Sequence, residues 1–191
     1  PWFIYKEDKN WIPHLIQDIE KIFDPAKNKA HSKGKVIRWI LKDGSNKTIG
    51  RIAAFINYDL ANNFEQPTGG LGFFECTNDK DAAFLLFDTA KKWLIDNKME
   101  AMDGPINFGE KNMFWGLLTE NFTDPNSYGM NYNPPYYQNL FEDYGFEVYY
   151  KQLMSKRDMS VPVQDVFVEK SERLMKRKEY SISNVRNLSL K

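Results

Sequence analysis

Side chains able to do chemistry gather in two stretches of this chain of 191 residues. The first is Glu75-Cys76-Thr77-Asn78-Asp79-Lys80-Asp81, which ends an apolar run and opens an amphipathic one. The second is 104–137, where Asn107, Glu110, Tyr132, Tyr136 and Tyr137 stand among Phe108, Phe114, Trp115 and Tyr128. Ligand pockets combine apolar walls with a few polar groups. In open α/β sheets they gather at the C-terminal ends of strands. The same aromatics would equally close one edge of a core and seat a second domain. Cys76 has no helper group in sequence reach and reads as a small buried hydrophobe. His14 falls on the exposed side of a predicted helix and His31 in a polar loop, and neither belongs to a metal-ligand spacing. Gly69-Gly70-Leu71-Gly72 is not a dinucleotide fingerprint, and no P-loop is present.

Composition narrows the classes. Hydrophobic residues make up 42% and charged residues 27%, enough for a buried core. Lys and Arg total 26, matching 26 Asp and Glu, so no global basic field exists for nucleic acid or an anionic membrane. The single Cys76 excludes an internal disulfide framework and favours a reducing compartment, the cytoplasm. No apolar run approaches the roughly 20 residues of a membrane span.

The elements that must position these groups follow from periodicity. Trp2 to Lys6 reads as a short strand. A helix over 10–24 places Ile12, Leu15, Ile16, Ile19, Ile22 and Phe23 on one face. Val36–Lys42 and Lys47–Asn57 read as a hairpin about Asp43-Gly44-Ser45-Asn46. Gly72–Cys76 is a short central strand, and Asn78 or Asp79 caps a helix over 80–97. Met99–Asp103 then completes a strand–helix–strand unit, whose strands should be parallel. Pro135–Asp143 is a short helix ended by Gly145, Phe146–Met154 a strand, and 165–178 a charged helix. The run from Tyr180 to Leu190 alternates like the start of another strand, as though the chain continued.

This order, with Leu140-Phe141-Glu142-Asp143-Tyr144-Gly145-Phe146, resembles the GNAT superfamily of acyl-CoA-dependent N-acyltransferases. More narrowly, four phrases are similar to a group of bacterial GNAT-like proteins often about twice this length. They are Gly50-Arg51-Ile52-Ala53-Ala54, Gly72-Phe73-Phe74-Glu75, Gly104 to Glu110 and Asn133-Pro134-Pro135-Tyr136-Tyr137. The resemblance implies an α/β (α+β) domain over 1–155 with a mixed, twisted central sheet flanked by helices. Residues 156–191 would then hold a charged linker helix and, from near Tyr180, the start of a second domain of the same chain. It also implies that the central strand splays from its parallel neighbour. The backbones of Phe73 and Phe74 would pair with the pantetheine arm of acetyl-CoA or another acyl-CoA, and Cys76, Asn78 and Lys80 would lie near the pyrophosphate. Glu75, Tyr136 and Tyr137 would handle protons. Asn107, Glu110, Trp115 and Tyr132 would line the site of a small-molecule or peptide amine.

Two features depart from the family pattern. The loop 75–83 contains no glycine, and Glu75, Asp79 and Asp81 would crowd a dianion with only Lys80 in reply. Phe141 occupies the place where many GNATs carry a tyrosine that protonates the thiolate. Two functions therefore stand side by side: an N-acyltransferase using an acyl thioester, and a catalytically silent binding or scaffold domain docked to a second domain.

Overall fold

The computed structural model describes residues 2–63, 65–110 and 112–181. Pro1–Glu147 forms one compact unit and Val148–Lys191 another. In the first, helices α1 (Trp2–Tyr5) and α2 (Ile16–Phe23) precede a 3₁₀ turn at Lys29–Ser32. Strands β1 (Gly34–Lys42) and β2 (Thr48–Asn57) follow, then helix α3 (Tyr58–Ala61), strand β3 (Thr68–Cys76), helix α4 (Lys80–Asp96), strand β4 (Ala101–Asp103) and helix α5 (Tyr136–Tyr144). The second unit contains helix α6 (Asp165–Met175), whose Phe167 and Leu174 are exposed.

The sheet runs β1-β2-β3-β4, antiparallel through the first three strands and parallel between β3 and β4. This is the mixed, helix-flanked α+β architecture expected from the strand–helix–strand reading. The β1–β2 turn is tied by the Asp43 carboxylate, which accepts from the Ser45 and Lys47 amides and from the Ser45 hydroxyl. Asn46 takes the left-handed conformation, φ 66°, that such a turn requires. Strand β2 lies between β1 and β3 and is buried over most of its length. Its Ile52, Ala54 and Ile56 join Leu86, Phe87, Ala90 and Leu94 of α4 in the main core. A second cluster on the opposite face of the sheet gathers Ile22, Phe55, Phe108 and Phe114.

β3 carries the local irregularity that matters most. Arg51 pairs with Glu75 and Ala53 with Gly72, so Ile52 alone faces both Phe73 and Phe74. Phe73 sits at φ +52°, the signature of a β-bulge. The extra residue reverses the alternation: Leu71 points to the α4 core before it, and Phe74 and Cys76 after it. Phe73 therefore packs with Phe23 and Phe114, while Phe74 stacks on Phe87.

Six expectations are corrected. Trp2–Tyr5 is helical, not a strand. The second helix begins only at Ile16, because the residue before Pro13 is driven from the helical region and Leu15 is extended, with ψ 129°. Ile12, Leu15 and Ile16, expected on a buried face, are all exposed. His14 is consequently off the helix and half-buried, its ring edge-on to Phe114. Finally, 147–158 contains no strand. Alternating side chains do not supply the ladder partner that a strand needs. Phe146 packs against Phe87, Phe141 and Tyr144. The last helix ends at Met175 rather than 178. The alternating run lies outside the described residues from 182 onward.

Gly72 is fixed by close approach, since a Cβ there would lie 2.0 Å from the Ile106 carbonyl oxygen. We expect Gly72→Ala to force the two backbones apart and to lower stability by about 3 kcal/mol, the upper range of overpacking costs, measured by urea unfolding.

Candidate functional site

The parallel ladder between β3 and β4 comprises three pairs, ending at Gly70 and Asp103. One further bond follows, from the Ile106 amide to the Leu71 carbonyl at 2.8 Å. β3 continues to Cys76 without β4 beside it. The Thr77 amide bonds to Ile49, toward β2. By alternation the N–H and C=O of Cys76 face the other way, into this opening.

Two tyrosines of α5 occupy that edge. The Tyr137 hydroxyl accepts from the Cys76 amide at 2.8 Å and donates to Glu75 Oε2 at 2.9 Å. The Tyr136 hydroxyl donates to the Cys76 carbonyl at 2.8 Å. From the opposite side the Tyr5 hydroxyl lies 2.8 Å from Glu75 Oε2 and 3.2 Å from the Tyr132 carbonyl. Tyr5 is held there by stacking on Trp11, with ring centroids 4.6 Å apart. Arg51, directly across the β2–β3 pair, brings its guanidinium to 3.5 Å from Glu75 Oε1.

A carboxyl only 15% exposed thus has two phenols and one guanidinium around it. Burial is the largest influence on Glu75 and pushes its pKa above the ordinary carboxylate range. Arg51 and the two hydroxyls pull it back down without cancelling the shift. Burial likewise raises Tyr5, Tyr136 and Tyr137, so these phenols stay protonated donors at neutral pH. His14 is shifted the other way, lowered by burial and by the nearby Arg51 charge.

Of the residues singled out in the sequence, Glu75, Cys76, Tyr136 and Tyr137 come together, and Tyr132 joins through its carbonyl. The Tyr132 hydroxyl turns elsewhere, to Asp8 Oδ2 at 2.8 Å, and its pKa rises to about 12 through burial and that carboxylate. Phe73 and Phe74 separate onto the two faces of the sheet. Burial pushes the Cys76 thiol up to about 11, leaving it without thiolate character. Asn78 is exposed, and the cap of α4 is Asp79, whose carboxylate accepts from the Ala82 amide at 3.1 Å. Lys80 is engaged by Asp143 at 2.9 Å and sits over the Phe84 ring. Asn107 donates to the Glu110 carbonyl, and its own buried Oδ1 has no partner among the described residues. Glu110 is exposed and Trp115 half-buried. Phe141 is buried against Phe74 and Phe87, so Tyr137, four residues earlier and one helical turn away, provides the hydroxyl at the strand.

Tyr5, Arg51 and His14 are the participants that the residue pattern did not point to. Arg51 becomes recognisable once the register of β2 against β3 is known, because it then stands opposite Glu75. Tyr5 gives no local signal, since its contact spans 70 positions.

Among the described residues, no helix is long and apolar enough to cross a membrane. No group of His, Cys, Asp and Glu among them would hold a metal. The fold is thus a mixed α/β sheet with a largely buried Glu–Tyr cluster, and a half-exposed Arg51 beside it, at the free end of its central strand. No known family model and no solved structure matches the chain. Protein YghO of Escherichia coli (strain K12) is 28% identical over 146 residues, which is 76% of this chain and 37% of that protein. The chain therefore spans little more than a third of its relative.

Two outcomes test the cluster. A folded-state pKa above the unfolded one means that Glu75 favours folding while protonated. Its contribution is complete below the ordinary glutamate range and is lost as pH rises through the folded pKa. Urea midpoints should therefore fall over that window for the natural protein by more than for Glu75→Gln. Tyr137→Phe leaves the Cys76 amide without its acceptor and should cost about 3 kcal/mol in the same assay.

Proposed function

We propose that this chain carries a GNAT-like N-acyltransferase site, which moves an acyl group from an acyl-CoA or similar thioester to a small-molecule or peptide amine. The reading rests on Glu75: a nearly buried carboxyl at the C-terminal end of the central strand, beyond the last β3–β4 pair. In acyl transfer the amine nitrogen forms a bond to the thioester carbon, the C–S bond breaks, and the proton lost by the amine needs a base. A carboxylate whose proton affinity is raised by burial suits that task better than an exposed one. Tyr5 and Tyr137 fix its orientation, and Arg51 balances its charge when ionised. Tyr136, bonded to the Cys76 carbonyl, is the phenol we assign to the departing thiolate. A reducing cytoplasm fits the single buried thiol.

A second reading has its own support. The family's grip on its donor uses bare strand edge and bare helix amides, and here both are taken. Tyr137 and Tyr136 hold the Cys76 amide and carbonyl, and Asp79 caps α4. A donor would have to displace the Tyr137 hydroxyl to pair with that amide. A catalytically silent domain docked to a second domain has no such requirement.

Thermal-shift titration of the full protein with acetyl-CoA and longer acyl-CoAs separates the two. A donor at 100 times its Kd should stabilise the fold by about 2.7 kcal/mol. Glu75→Gln should keep that shift and lose release of free CoA across a panel of amines. Absence of any shift would leave the scaffold reading alone.

A further inference from the structure

The neutral total conceals a segregated charge. Residues 27–47 contain Lys27, Lys29, Lys33, Lys35, Arg38, Lys42 and Lys47 against a single acid, Asp43. The structure lays this segment along β1, the outer strand of the sheet, and into the connections at both its ends. All seven side chains lie on exposed residues. Asp24 answers Lys27 at 3.4 Å, and Asp59 answers Lys33. Asp43 is committed to its own turn. Lys29, Lys35, Arg38 and Lys42 have no acid within ion-pair distance among the described residues. Lys35 leans to the α4 face, where its Nζ donates to Asn97 Oδ1 at 3.0 Å, and Arg38 and Lys42 lean to the other, so the cations flank both sides of an outer edge that nine residues at roughly 3.3 Å each extend to roughly 30 Å.

Lysines on an outer strand also deter edge-to-edge pairing. That role accounts for Lys35 and Lys42. It does not account for Lys27, Lys29, Lys33 and Lys47, which lie off the strand. We propose that the β1 edge docks this protein, peripherally, onto an anionic lipid surface. Three observations favour lipid over nucleic acid. Six of the seven cations are lysines, point charges suited to a diffuse anionic plane. The one guanidinium, Arg38, is already stacked over Phe23, 4.4 Å from its centroid. Trp39 packs toward Trp93 on the core side, and the apolar residue left exposed beside Arg38 and Lys42 is aliphatic: Ile40, at 66%. Single-stranded nucleic-acid sites instead offer exposed aromatic rings for stacking. An exposed aliphatic flanked by lysines matches the interfacial zone of a bilayer.

The test is co-sedimentation of the full chain with vesicles of phosphatidylglycerol and phosphatidylcholine in equal parts, against phosphatidylcholine alone. Retention should require the anionic lipid and be released near 1 M salt, where the screening length falls to about 3 Å. Each cation at such a surface contributes about 1 kcal/mol, so Lys35→Gln with Lys42→Gln should weaken partition by roughly thirtyfold. Lys6→Gln with Lys9→Gln, away from the β1 edge, should not. Circular dichroism melting should be unchanged in both pairs. No retention at low salt, retention indifferent to the Lys35 and Lys42 changes, or displacement of the protein from vesicles by duplex DNA would each overturn the proposal.

Discussion

One phenolic oxygen, that of Tyr137, serves two buried groups at once. It accepts from the Cys76 amide on the free edge of β3 and donates to Glu75, whose side chain lies on the other face of the sheet. The side chain belongs to the α4 core, packed against Phe74, and its tip crosses the strand edge. It can do so only because β4 stops at Asp103. Shortness of the parallel ladder, docking of α5 and retention of a carboxyl in a largely dry setting are therefore one arrangement. A buried amide and a buried carboxyl each need a partner, and a single hydroxyl meets both needs.

The two faces of the sheet divide the labour. Toward α4 the contacts are apolar and dense, from Ile52 and Leu71 through Phe87 to Phe141, and that face fixes the strands. Toward α2 the cluster of Phe55, Phe108 and Phe114 is smaller, and polar groups enter it: Arg51, Glu75 and His14. The smaller face also receives the N-terminal segment, through Tyr5 and Trp11. Glu75 and Arg51 thus lie on the side of β2 and β3 away from α4, while Tyr136 and Tyr137 reach the same strand edge from the α4 side.

Local rules made much of this legible. The hairpin, the capped helix α4 and the parallel return strand are written in turn residues, caps and periodicity, and they appear within a residue or two of where those signals lie. Glu75, Tyr136 and Tyr137 are singled out by the resemblance to GNAT proteins and by their place in the polar and aromatic stretches. What stayed hidden depends on partners distant in the chain. Tyr5 reads as part of a strand because Trp-Phe-Ile-Tyr has strand composition, yet one turn of helix brings it to a carboxyl far along the sequence. Val148 to Met154 has the alternation of a strand and forms none, since pairing is a property of two segments. The bulge at Phe73 left no mark, because phenylalanine is a poor residue for positive φ and nothing in its neighbours demands it.

That bulge gives β3 a phase. Upstream and downstream halves of the strand are out of step by one residue, so the strand reads as two words separated by a spacer. Removing one residue at 73 would shorten β3 by only a single rise. It would also exchange the faces of everything upstream relative to everything downstream, turning Glu75 into the helix-packed layer or Leu71 out of it. Length variation in this lineage should accordingly collect in the connections on either side of β3 and be purged from the strand itself.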